Sequence, residues 1–269
     1  MAAALDLDAY FNRIGWGGET RNDLTTVAGL LRAHMQAIPF ENLDVLLGRG
    51  VRIDLDGLQQ KMVRQRRGGY CFEHATLFAA VLEALGFKPV RHTARVTLFL
   101  SRKASPRTHM VLVVTLPEGR FVLDPGFGGL APTMPVALVA TDGAAVEGRS
   151  HWFVRDGVYW VLRATAEGKD VDCWATTLDA DNLIDFEVGN HFTATHPASP
   201  FRNRLMMRAL TPDGRVTVLN RDMKRWRGET VETLQLPDRG ALRALLADCF
   251  GFDLPEVEAL RVPMIPEWG

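Results

Sequence analysis

Cys71, reached through Arg67-Gly68-Gly69-Tyr70, is the side chain best placed in this sequence for covalent chemistry. The paired glycines let the backbone turn sharply into a segment with helical periodicity, which sets the thiol at a helix start. Unpaired N–H groups and the positive end of the helix dipole stabilise a thiolate there, so the thiol pKa is expected to fall. Taken alone, the same pattern suits a buried cysteine that merely opens a helix. Partners change the weighing. His109 begins one apolar run and Asp124 ends another, with a turn at Pro117-Glu118-Gly119 between them. A neutral imidazole beside Cys71 can take its proton, and a carboxylate on the other ring nitrogen would fix the tautomer and stabilise the cation. The combination reads as a Cys/His/Asp relay for nucleophilic catalysis.

The hairpin spacing carries a tension. If the turn centres on Glu118, Asp124 faces Leu112, about three residues or ~10 Å along the strand from His109. A bulge or a different turn must close that gap. Beyond Asp124, Gly126, Gly128 and Gly129 surround Phe127 in a glycine-rich loop. Such a loop can present successive N–H groups to a pyrophosphate, or simply turn a barrel corner. Glu41 and Arg67 read as a structural ion pair, and His74 and His92 as surface or packing residues. The Arg64-Gln65-Arg66-Arg67 run reads as a solvated basic end, with phosphate support as the alternative.

The elements that must position these groups divide in two styles. Up to about residue 88 the periodicity is helical: Tyr10, Phe11 and Ile14 form one stripe, and Val27, Leu30, Leu31 and Met35 another, ended by Pro39. A third helix is expected near Asp56, and a fourth from Cys71 to about Leu85, with Gly86 as its stop. Short runs rich in valine, leucine and aromatics follow, at 94–100, 110–116, 121–123, 152–154 and 158–162, with Asp156-Gly157 as a hairpin signal. These predict a β-barrel or sandwich. A second hairpin at Pro212-Asp213-Gly214 and a helix over 238–250 make the final third mixed, and 196–200 is the best linker candidate.

With 269 residues, 47% apolar and 23% charged, the chain can bury a substantial core. A net charge of −1 gives no general pull toward nucleic acid or anionic membrane. Neither a leader pattern nor a membrane-length apolar run is present, so the reading is a soluble cytoplasmic protein. Three widely spaced cysteines, with no CxxC pair, argue against a disulfide framework or a zinc site, and no metal is expected. Cys173 and Cys249 read as small buried apolar residues.

Several segments together resemble the arylamine N-acetyltransferase family. They are Ile38-Pro39-Phe40-Glu41-Asn42-Leu43, Arg67-Gly68-Gly69-Tyr70-Cys71-Phe72-Glu73, Thr108-His109-Met110, Asp124-Pro125-Gly126-Phe127-Gly128 and the stretch from Asp185 to Pro197. The resemblance implies an α+β protein in three parts: a helical bundle (1–88), a β-barrel (89–196) and an α/β lid (197–269), around a core like that of cysteine proteases and transglutaminases. It further implies a triad of Cys71, His109 and Asp124, which accepts an acetyl group from acetyl-coenzyme A and passes it to an arylamine, hydrazine or arylhydroxylamine. Acetyl-CoA is then a substrate, with no permanently bound cofactor. The loop Gly126, Phe127, Gly128 and Gly129 would serve coenzyme A, and Phe40, Val96, Phe127 and Phe201 would line the acceptor pocket. Two residues depart from the family pattern: Ala75 stands where asparagine is usual, and Pro125 where valine is common. Competing readings are a hydrolase using the same relay with water, an amide synthase acting on a polyketide chain, and a non-catalytic binding module. The sequence leaves the oligomeric state open.

Overall fold

The computed structural model describes residues 4–98, 100–143 and 150–268. Its helices are α1 (Leu7–Ile14), α2 (Leu24–Ala37), α3 (Leu43–Leu46), α4 (Leu55–Leu58), α5 (Cys71–Ala84), α6 (Leu183–Thr195), α7 (Pro200–Asn203) and α8 (Arg239–Leu245). Wider π-type turns, Gln59–Arg64 and Leu246–Phe250, extend α4 and α8. The strands are β1 (Phe40–Glu41), β2 (Val90–Val96), β3 (Arg107–Leu116), β4 (Gly119–Leu123), β5 (Val136–Ala137), β6 (Ala140–Thr141), β7 (His151–Asp156), β8 (Tyr159–Ala166), β9 (Lys169–Thr176), β10 (Met206–Thr211), β11 (Gly214–Leu219), β12 (Asp222–Arg227) and β13 (Thr230–Gln235).

Local chemistry explains the helical segment. Asp23 caps α2 by accepting from the Thr26 N–H at 2.8 Å, and Val27, Leu30, Leu31 and Met35 are all buried. Each such side chain contributes about 1.5–3 kcal/mol on burial. Helix α5 buries Phe72, Leu77, Phe78, Val81 and Leu82 around nearly its whole circumference. A helix apolar on all sides belongs at the centre of the packing, and Gly86, at φ +86°, ends it.

Eight strands form a curled, half-barrel sheet in the order β5-β4-β3-β2-β9-β8-β7-β6. Strand β3 explains why its sequence lacks alternation. Met110, Leu112 and Val114 face the helices, while Val111 and Val113 face the sheet interior with Phe153, Leu162 and Trp174. A strand covered on both faces reads as one apolar run. The expected strand over 94–100 starts earlier, at Val90, whose exposed side chain hid it from a burial pattern, and ends at Val96; Phe99 lies outside the described residues. The hairpin at Asp156-Gly157 is present with its loop one residue later: Asp156 pairs with Tyr159, and Gly157 takes φ +58°.

The five-stranded sheet runs β1-β10-β11-β12-β13 and packs against α8. Strand β1 comes from the helical N-terminal segment, so Phe40 and Glu41 pair with Arg208 and Met207 of the C-terminal third. Residues 196–200 form a short tied connection: the Ser199 hydroxyl donates to the Thr193 carbonyl at 2.6 Å and accepts from the Phe201 N–H. Among the described residues, no helix is long and apolar enough to cross a membrane.

Candidate active site

Cys71 is the first residue of α5, and the preceding turn is held from two directions. The Tyr70 N–H donates to the Glu73 carboxylate at 2.9 Å, and the Gly69 N–H donates to the Pro39 carbonyl at 3.2 Å. A Cβ on Gly68 would stand 2.0 Å from that carbonyl oxygen, so the close approach demands glycine there. Behind the turn lies a buried charge cluster. Arg67 donates to Glu41 (2.8 Å) and Asp44 (2.6 Å), and Lys61 to Asp44 (2.8 Å) and Glu73 (2.7 Å). The expected Glu41–Arg67 pair is therefore present, while Arg64, Gln65 and Arg66 remain exposed. Burial pushes the Glu73 carboxyl up to about 7 despite the nearby Lys61 ammonium.

The other two groups of the expected relay arrive from neighbouring strands. His109 sits at a bulge: Ala94 pairs with His109 but Arg95 pairs with Arg107, so Thr108 is the extra residue of β3. Bulges re-aim side chains, and here the Thr108 carbonyl lies 3.7 Å from the Cys71 sulfur. Asp124 follows β4. The β3–β4 turn uses only Pro117 and Glu118, with Leu116 paired to Gly119 and Leu112 to Leu123. That register continues to Asp124 opposite Val111, two residues from His109 and on the same face. Diagonal neighbours at that separation touch through long side chains, which resolves the apparent gap in the hairpin spacing. His109 Nε2 donates to Asp124 Oδ2 at 3.0 Å.

All three groups are buried, with Cys71 3%, His109 2% and Asp124 0% exposed. Burial disfavours a charged imidazole, but the Asp124 carboxylate and hydrogen bonds to Asp124 and the Cys71 sulfur outweigh it, pushing His109 up to about 10. Because Nε2 serves Asp124, Nδ1 is the nitrogen left for the sulfur. The arrangement can store a thiolate beside an imidazolium and later accept a proton at the same ring. Trp174, unrecognised in the sequence, donates its indole N–H to Asp124 Oδ2 at 2.8 Å. An apolar tryptophan on a strand carried no local signal of that role.

The glycine loop lies against Cys71: a Cβ on Gly126 would fall 2.5 Å from its Cα. Phe127 packs its ring 5.1 Å from that of His109, and Gly128, at φ +77°, lies under the Phe40 ring. Gly129 faces open space. Of the four expected pocket residues, Phe40 and Phe201 meet at 6.2 Å, Phe127 flanks His109, and Val96 lies on β2 opposite Trp174. Ala75 is fully buried one turn beyond Cys71. His74 and His92 are buried packing residues: His74 bonds to His34 and to the Pro39 carbonyl, and His92 to the Asp179 carbonyl. Cys173 is buried, with its thiol pushed up to about 12 by burial and nearby carboxylates, and Cys249 is partly exposed; all three cysteines are free.

A family model described as N-acetyltransferase matches residues 23–259. The chain belongs to the arylamine N-acetyltransferase family. An arylamine N-acetyltransferase of Mycobacterium tuberculosis is 38% identical, over 94% of this chain and 92% of that one. An arylamine N-acetyltransferase / N-hydroxyarylamine O-acetyltransferase of Salmonella typhimurium is 34% identical, over 94% of this chain and 90% of that one. The structure of the Mycobacterium marinum arylamine N-acetyltransferase in complex with CoA superposes with a TM-score of 0.86, at 33% identity, covering 94% of both chains. The likeness read from the sequence motifs is thus borne out over nearly the full length, and it covers every segment that builds the site.

Proposed function

We propose that Cys71 carries the acetyl group as a thioester between acetyl-coenzyme A and an arylamine, hydrazine or arylhydroxylamine, with His109 moving the proton and Asp124 orienting His109. Transfer from acetyl-CoA to arylamines is the activity of the family to which the chain belongs. The observation that carries the assignment is the buried contact series from the sulfur at the start of α5, through the His109 ring, to Asp124. In the first half-reaction the thiolate attacks the acetyl carbonyl carbon, the carbon–sulfur bond to coenzyme A breaks, and the leaving thiolate takes the imidazolium proton. In the second, the amine attacks the Cys71 thioester, His109 Nδ1 takes the amine proton, and the sulfur departs as a thiolate, restoring the ion pair. Backbone N–H groups around Cys71 are the proposed donors to the developing oxyanion.

The loop Gly126, Phe127, Gly128 and Gly129 is the proposed coenzyme A contact, supported by its position against Cys71. Phe40, Val96, Phe127 and Phe201 are the proposed acceptor lining. Residues 1–88, 89–196 and 197–269 are proposed as bundle, barrel and lid around a core of cysteine-protease type, acting in the cytoplasm. Incubation with acetyl-CoA followed by mass spectrometry tests the central step. An acetyl adduct is expected on Cys71, discharged by an arylamine, and Cys71→Ala should abolish both adduct and turnover while the fold persists. Undiminished turnover in Cys71→Ala would remove the sulfur from the mechanism.

A further inference from the structure

Two buried polar atoms near the relay have no hydrogen-bond partner among the described residues: Oδ1 of Asp124 and Nε of Arg208. Buried polar groups are nearly always satisfied, so each orphan needs a reason. Arg208 lies on β10, paired with Phe40 of β1, and only 7% of it is exposed. Its Nη1 donates to the carbonyls of Gly128 (2.9 Å) and Ala131 (3.4 Å), both in the loop that follows Asp124. It makes no ion pair among the described residues, although a buried guanidinium ordinarily has one. With Met35, Ile38, Phe40, Pro125, Gly128 and Leu210 it lines a small cavity beneath the glycine loop.

We infer that Arg208 is a positioning residue for acyl transfer: it clamps the loop after Asp124 and supplies the positive charge that balances the Asp124 carboxylate when His109 is neutral. The inference rests on the relay proposed above. In the resting protein the imidazolium faces Asp124. Once Cys71 is acetylated the sulfur has no charge, and His109 must be neutral to accept the amine proton. The carboxylate then keeps only neutral donors, the imidazole N–H and the Trp174 indole, on Oδ2, and none on Oδ1. Neutral donors alone leave a buried negative charge without a counter-charge, which a fixed cation nearby supplies.

The remaining titratable and charged groups around the pair do not fill that role. His151 on β7 donates Nε2 to the Leu130 carbonyl and is kept neutral by burial. Cys173 on β9 holds its proton to about 12. Cys71 is acylated at this stage. Arg215 on β11 repels Arg208 and stacks on Trp226. Asp124 is the one carboxylate among the charges acting on Arg208, which burial and Arg215 lower and Asp124 raises.

The test separates charge from architecture. Single-turnover discharge of acetylated full-length protein by an arylamine is followed across pH for the natural chain and for Arg208→Gln, Arg208→Met and Arg208→Lys. Discharge requires the Asp124/His109 pair to have lost its proton. Removing a nearby positive charge favours the protonated pair, whichever residue holds the proton. Arg208→Gln and Arg208→Met should therefore move the governing pKa upward by more than about half a unit, whereas Arg208→Lys keeps it and loses only rate, through the lost carbonyl clamp. Two uncharged variants are used so that one failing to fold does not silence the other. A folded uncharged variant that is slow but keeps the natural profile, or a lysine variant that shifts as far as glutamine, would overturn the assignment. Failure of the relay itself would be seen separately, as turnover surviving in Cys71→Ala.

Discussion

Replacing Gly126 by alanine tests whether the loop after Asp124 and the start of α5 hold each other at a fixed separation. The added methyl would lie 2.5 Å from the Cys71 Cα and 3.2 Å from its N and O atoms. Carbon atoms prefer separations of about 3.5–4.0 Å, so relief takes roughly 1 Å of movement. Neither side can yield cheaply. Asp124 is held by His109 and Trp174, and the Gly128 and Ala131 carbonyls by Arg208. The Cys71 turn is held through Gly69 to Pro39 and through Tyr70 to Glu73. Overpacking of this kind costs about 1–3 kcal/mol. A 1 Å displacement of reacting groups costs on the order of 100-fold in rate. Steady-state release of coenzyme A in the presence of an arylamine, with near-ultraviolet circular dichroism to verify the fold, should show kcat/KM reduced about 100-fold and a slightly lower unfolding midpoint. Gly17→Ala, whose methyl meets open space, should change neither. A folded Gly126→Ala protein working within about threefold of the natural rate would refute the claim that this contact fixes the nucleophile.

Trp174→Phe deletes the indole donor to Asp124 Oδ2. A hydrogen bond to a charged group is worth about 1.5–3 kcal/mol, so kcat should fall about 10-fold or more while the KM for acetyl-CoA changes little; an unchanged kcat would show that His109 alone holds the carboxylate. The raised His109 value makes a statement about stability. From the ordinary imidazole value of 6.5, and against the effect of burial, the Asp124 carboxylate and the Cys71 sulfur push the folded ring up to about 10. The stabilisation from protonated His109 is complete below pH 6.5 and is lost as pH climbs toward 10. Urea unfolding at a series of pH values should show this decline, and Asp124→Asn should flatten it; an equally steep decline in that variant would point to other groups.

Much of the site was legible because its markers are local. Two glycines before a cysteine at a helix start, and a glycine loop after an aspartate, are signals of backbone geometry, and Gly68 and Gly126 do meet backbone that no Cβ could tolerate. What the sequence hid is non-local. Trp174 reaches Asp124 across fifty residues. Arg208 reaches the same loop from a strand that joins β1, a pairing that periodicity over either segment alone could not suggest. The spacing from His109 to Asp124 looked inconsistent only because hairpin reasoning counted directly opposed residues; the shorter turn and a diagonal contact close it. The bulge at Thr108 has no turn residue to announce it.

Charge conservation through the catalytic cycle links these hidden residues to the chemistry. On the proposed relay, a Cys71 thiolate and the Asp124 carboxylate are balanced in the resting state by the His109 imidazolium and Arg208. After acetylation the sulfur and the imidazole are both neutral, and Asp124 remains against Arg208. When the amine attacks, the oxyanion that forms is balanced by the proton His109 has accepted. At each stage Cys71, His109, Asp124, Arg208 and the oxyanion, where present, sum to zero, and without Arg208 that set would carry one negative charge. Uncompensated charge in a buried site costs several kcal/mol, and it would fall on the carboxylate that holds His109. An arginine with no carboxylate at contact distance is thus what the relay requires: close contact would neutralise Asp124 in a separate ion pair, whereas a charge held back by the Gly128 and Ala131 carbonyls leaves Oδ2 free to orient His109.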